Sequence, residues 1–131
     1  MFNGSVINCS PTLVMQAGAA ITAGPFTAVA VSEGSVVSAT ASTVPFGLTL
    51  AEAEDAIAAG EDVTVQIKDC GLWKAGAAFS AGALLTSDAN GLAVEATAGK
   101  FAFAVALEEA TAANQVVKVQ IVKAGFVPAG E

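Results

Sequence analysis

Gln16-Ala-Gly-Ala-Ala-Ile-Thr-Ala-Gly24 and Lys74-Ala-Gly-Ala-Ala-Phe-Ser-Ala-Gly82 decide how this 131-residue chain is organised. Six of the nine positions are identical, and the Ile21/Phe79 and Thr22/Ser80 exchanges preserve side-chain character. Outward from these blocks, others recur in the same order. Ser38-Ala-Thr40 matches Glu95-Ala-Thr97, and Pro45-Phe46-Gly47 falls opposite Ala102-Phe103-Ala104. Val63-Thr-Val-Gln-Ile67 then matches Val117-Lys-Val-Gln-Ile121. Alanine-rich sequence matches itself easily, so one block alone carries little, but several in one order indicate a duplicated unit. The reading is an N-terminal arm over 1–15 and a single β domain over 16–131. Within that domain repeat one runs over 16–67, repeat two over 74–121 and a tail over 122–131. This length fits one domain with one substantial core.

Each unit reads as strands separated by glycine turns. Val63 to Ile67 and Val117 to Ile121 alternate apolar and polar, the period-2 pattern of a half-buried strand. Thr27 to Val31 and Ser35 to Thr40 flank Ser32-Glu33-Gly34; Ala83 to Thr86 and Leu92 to Ala96 flank Asp88-Ala89-Asn90-Gly91. Both are hairpin signals, with glycine supplying positive φ. Phe46 to Leu50 and Phe101 to Leu107 supply a further strand each. Two units of about four strands predict an all-β protein, a small β-barrel or β-sandwich. One segment breaks the pattern: Thr49 and Glu52 have capping-box spacing ahead of an alanine-rich run closed by Gly60, which predicts one short helical turn. Its shorter counterpart runs from Glu108 to Ala113.

Composition narrows the function classes. Apolar residues make up 54% of the chain while only 13% are charged, against about 25% charged in a typical domain. Alanine, glycine, serine and threonine must therefore cover much of the exterior. Such a surface suits burial against other chains, the plainer alternative being a compact alanine-rich monomer. All five basic residues are lysines, and twelve carboxylates bring the net charge to −7. Phosphate backbones are held by clustered Arg and Lys, so nucleic acid is not an expected partner, nor is an anionic membrane surface. Pro11, Gly18, Gly24 and Pro25 interrupt the uncharged first 32 residues, so these do not read as a membrane span. No positively charged start precedes an apolar run, so a secretory leader is not expected. Cys9 and Cys70 are too few for a disulfide framework and fit a reducing cytoplasm.

No constellation for catalysis emerges. The chain has no histidine, tyrosine or arginine, so the commonest general base, metal ligand and phosphate clamp are missing. Cys9 and Cys70 have no base to activate them, and Asp69 beside Cys70 disfavours a thiolate. Glu52, Glu54 and Asp55 read as a solvated acidic face. Ser87 to Gly91 starts like a calcium loop but lacks the later acidic ligand; a tight turn needs the same residues. No catalytic, cofactor-binding or metal-ligating residue is therefore nominated.

The block Ala75 to Gly82, continuing through Leu84-Leu-Thr-Ser-Asp-Ala-Asn-Gly91, leads into Phe101-Ala-Phe-Ala-Val-Ala-Leu-Glu-Glu-Ala110 and on to Val117-Lys-Val-Gln-Ile121. This pattern resembles the capsid cement, or decoration, proteins of tailed bacteriophages, over about residues 16 to 121. The resemblance implies a structural, non-enzymatic protein on the exterior of the phage head, made in the host cytoplasm. It further implies homotrimers that clamp neighbouring copies of the major capsid protein. A different class remains open: another virion β-module, such as a tail or fibre component that recognises a ligand. The Glu52 to Ala59 insert and the uncharged first fifteen residues depart from the family pattern.

Partner contacts are expected outside the repeats. The arm carries Phe2, Val6, Ile7 and Leu13, and an apolar arm tends either to add a strand to a neighbour or to be disordered. Packing against its own domain is the alternative. Leu72 and Trp73 sit at the junction between units, where an exposed Trp would be a natural anchor and a buried one a core residue.

Overall fold

Alternation in the sequence becomes two antiparallel five-stranded sheets. The computed structural model describes residues 12–22, 24–50 and 57–128. The first sheet holds β1 (Thr12–Gln16), β2 (Ala28–Ser32), β3 (Ser35–Ser38), β4 (Gly47–Thr49) and β5 (Asp62–Gln66), in the order β1-β5-β4-β2-β3. The second holds β6 (Asp69–Lys74), β7 (Leu84–Ser87), β8 (Ala93–Glu95), β9 (Phe101–Ala106) and β10 (Val116–Phe126), in the order β6-β10-β9-β7-β8. Counted from its own first strand, each sheet follows the same order. The result is sandwich-like. Among the described residues no closed barrel forms, but single parallel bridges, Ala17 to Val36 and Ala75 to Ala93, tie the first strand of each sheet towards its last.

The geometry follows the sequence blocks residue by residue. Ala17 N donates to Glu61 O and Ala75 N to Gln115 O, both at 2.8 Å. Ile21 pairs across to Ile57 as Phe79 pairs to Ala110. Gly60 N reaches Ala17 O at 2.8 Å, and Asn114 N reaches Ala75 O at 2.6 Å. Asn114 takes the left-handed conformation there that Gly60 takes in the first half, with φ 72° against 90°; asparagine is the side chain that best tolerates it.

Turn chemistry sets the hairpins. Ser32 pairs with Ser35, so Glu33 and Gly34 form a two-residue turn, and both have positive φ (52° and 82°). That is the turn whose twist matches paired strands. In the second half Asp88 Oδ1 accepts from Asn90 N at 2.8 Å and Leu92 N at 3.0 Å. The acidic side chain of the calcium-like stretch is thus used by the turn itself.

Two clusters form the core. Ala17, Ile21, Val29, Val36, Ile57, Val63 and Val65 pack within the first sheet. The larger cluster joins the inner residues of the second sheet to Ala28, Ala30, Ala39 and Leu48 of the first. Residues 28–30 of β2 are thereby buried on both faces. The halves are also stitched by backbone: Lys74 N donates to Phe26 O at 2.7 Å, and Ala28 N to Gly91 O at 2.8 Å.

Several expectations change. Each sheet has five strands rather than four, because β1 and β6 escaped the pattern. Thr12 to Met15, read as part of the arm, belong to β1 and pair with β5. Thr49 is the last residue of β4, and its Oγ1 accepts from Thr27 N at 3.0 Å. The body of the expected helical turn, residues 51–56, lies outside the described residues. Its counterpart over Glu108 to Ala113 is turn and bridge, not helix.

Candidate interaction surfaces

Register puts equivalent residues of the two sheets into equivalent rows. In the first sheet Thr12, Gln66, Leu48 and Ala28 lie side by side across β1, β5, β4 and β2. In the second, Cys70, Gln120, Val105 and Leu84 lie side by side across β6, β10, β9 and β7. The first row is covered: Leu48 and Ala28 have no exposure, and Gln66 is buried, its amide donating to Lys68 O at 2.9 Å. The second row is open. Leu84 is 40% exposed, and Cys70 and Gln120 face solvent.

The open row belongs to a wider face. β10 alternates exposed Val116, Lys118 and Gln120 with buried Val117, Val119 and Ile121. Leu72 stands opposite Lys118, Lys74 opposite Val116, and Leu107 N bonds to Lys118 O. Leu72, Leu107 and Val116 are each more than a third exposed. Large apolar side chains and two lysines thus share one face of a chain whose net charge is −7.

A second surface lies where β10 breaks its alternation. The β9–β10 register shifts between Ile121 and Gly125, and Lys123 adopts φ 46° within that bulge. A bulge bends its strand and re-aims a side chain. Here it brings Lys123 Nζ over the Phe46 ring, 5.3 Å from its centroid. Val31, Val44, Pro45, Phe46, Phe101 and Lys123 line a cleft of about 360 Å³. Phe126, two-thirds exposed, stacks edge-on with Phe101 at its rim. Desolvation by burial lowers the Lys123 pKa below the usual lysine range. An apolar cleft holding a partly desolvated cation favours apolar side chains that bring a carboxylate.

The chain matches the phage cement proteins over residues 8–121. It belongs to that family. A phage cement protein is a virion component with a structural role at the capsid, which agrees with the resemblance read from residues 16 to 121. Among solved structures, the cement protein is similar to the N base of the head fibre gp8.5 of bacteriophage phi29. The TM-score is 0.64 at 20% identity, over 88% of this chain and 96% of that one. That likeness concerns the fold. No curated protein matches the sequence.

Within this cement protein the nominated contact residues separate. Phe2, Val6 and Ile7 lie outside the described residues. Leu13 is half-buried on β1, paired with Val65 and turned towards the first core. Leu72 is exposed on the open face. Trp73 is wholly buried: its Nε1–H donates to Gly91 O at 2.9 Å and its ring meets Phe103 edge-on. Strand alternation explains the split, since neighbours on β6 must face opposite sides. Trp73 is therefore a core residue, and Leu72 carries the surface. Sequence reading missed Val31, Val44, Phe101, Lys123 and Phe126, because a bulge and a seam between sheets leave no periodic signal.

Proposed function

We propose that this cement protein binds the outer surface of a phage head and stabilises contacts between neighbouring major capsid protein subunits, without catalysis. The observation that carries the reading is the family match over residues 8–121. The Lys123 cleft supplies a place for shell contact: it is apolar, it holds a cation, and among the described residues no carboxylate lines it. A shell segment carrying an acidic residue between apolar ones would complement it. Trimers are part of the same reading, as are synthesis in the host cytoplasm and a final position on the capsid exterior. The matching strand orders and bridges support an origin by duplication.

The test is co-sedimentation of the purified protein with undecorated heads, followed by thermal melting of those heads. Saturable binding that raises the melting temperature is expected. Lys123→Glu and Val44→Asp should each weaken binding at least about tenfold, roughly 1.4 kcal/mol. Wild-type protein that leaves the heads unbound and unstabilised overturns the reading. A tail or fibre module that recognises a ligand is the alternative, and it would predict that failure.

A further inference from the structure

The two rows pose a question of symmetry: what covers the second as the second half covers the first? In the first sheet Gln66, Leu48 and Ala28 of the first row are covered by β6 and the Asp88–Gly91 turn. Gln66 Nε2 donates to Lys68 O and Cys70 O, and Ala28 N donates to Gly91 O. Leu48 and Ala28 then join the cluster that contains Trp73 and Phe103. By chain position and sheet order, the first-half counterparts of β6 and that turn are β1 and the Ser32–Ser35 turn. These elements carry exposed apolar side chains: Val14 on β1 is 60% exposed and Val31 beside the turn is 49% exposed.

We infer that a second copy of this chain covers the open Cys70–Gln120–Val105–Leu84 row with its β1 edge and Ser32–Ser35 turn, so that copies associate head to tail. The contact repeats between molecules the packing already present within one. Charge supports the pairing. The open face carries Lys118, exposed opposite Leu72. The incoming edge brings Glu33 in its turn and Asp62 paired with Gln16. A head-to-tail contact uses two different surfaces, so it must either close into a ring or propagate. The inference goes beyond capsid binding and holds or fails separately from it.

The test uses two complementary variants and light scattering. Leu84→Glu disables the open row and Val14→Glu disables the edge; both residues are exposed, so unchanged circular dichroism and melting are expected. Wild-type protein should be oligomeric at about 100 μM, and each variant alone at least about tenfold weaker in association. Mixed one to one, the variants should form a heterodimer that does not grow with concentration, because each retains one intact surface. A symmetric contact, built from the same patch twice, would not be rescued by mixing. Should either variant fail to fold, Val14→Cys in a Cys9→Ser background gives a second readout. Oxidation should then cross-link copies through Cys70, and Cys70→Ser should abolish the ladder. A monomeric wild type overturns both this contact and the trimer. Oligomers indifferent to Leu84→Glu, or unlinked through Cys70, overturn this contact alone. Head binding by the non-associating variants is read separately and bears only on the cement function.

Discussion

Replacing Trp73 probes the fold where its two halves meet. The chain has one tryptophan, and it is wholly buried. Its Nε1–H donates to Gly91 O at 2.9 Å, and its ring meets Phe103 with centroids 5.4 Å apart at 85°. Trp73→Ala removes these contacts together and leaves a cavity, a change that costs about 3–5 kcal/mol. At about 2.1 cal/mol/K per residue, unfolding entropy is near 0.28 kcal/mol/K for this length, so Tm should fall by about 11–18 °C. Trp73→Phe should be milder. Gly91 O keeps the Ala28 N–H at 2.8 Å, so the lost indole bond costs about 1 kcal/mol, plus a smaller cavity. Urea melts should be run in the Leu84→Glu background, since self-association would add its own concentration-dependent stability. Native fluorescence should be blue-shifted and move to the red on unfolding. A loss below about 1 kcal/mol for Trp73→Ala, or a solvent-like native emission, would refute the shared core.

Other sites give further checks. Gly91 has φ 82°, and an added Cβ would lie 2.8 Å from Ala28 O, so Gly91→Ala should cost about 1–3 kcal/mol in urea melts. Thr49→Val strips the acceptor from the buried Thr27 N–H and should cost a similar amount, about 1–3 kcal/mol. Lys123 has a folded pKa lowered by desolvation, so at alkaline pH the unfolded chain binds more protons there than the native one. Its penalty is full at neutral pH and shrinks as pH rises through the folded pKa towards the unfolded one. Lys123→Met should therefore be more stable than wild type at neutral pH, with the gap closing in melts repeated near pH 10.

Legibility in the sequence tracked periodicity. Val117 to Ile121 announced β10 because one face is buried and the other is not; Val63 to Ile67 announced β5 by the same alternation, although Gln66 on its polar face is covered by β6. The hairpin turns were legible because Glu33-Gly34 and Asp88 to Gly91 must meet strict backbone demands. β1 and β6 were not: Thr-Leu-Val-Met-Gln lacks alternation, and Gly71 within Asp-Cys-Gly-Leu-Trp-Lys reads as a junction. Leu72 and Trp73 show the limit most clearly. Sequence placed both at a contact, but only the register with Lys118 and Val117 decides which faces out. The bulge that aims Lys123 at Phe46 depends on pairing between β9 and β10, a relation no local pattern encodes.

The two halves share a strand order, yet they have not remained interchangeable, and the difference explains where contacts arise. The first half presents Ala28 and Leu48 to its neighbour, and both are fully covered. The second half presents Leu84 and Val105 at the equivalent places, with Lys118 and Leu72 in the next row. If that face only met water, apolar side chains would have no counterpart to exclude it, and polar ones would serve as well. Truncation could hide that face and charge could block it, but here neither has happened: the face keeps its leucines and gains lysines in an otherwise acidic protein. On the inferred contact, Lys118 meets the acidic edge that the same chain carries at Glu33 and Asp62.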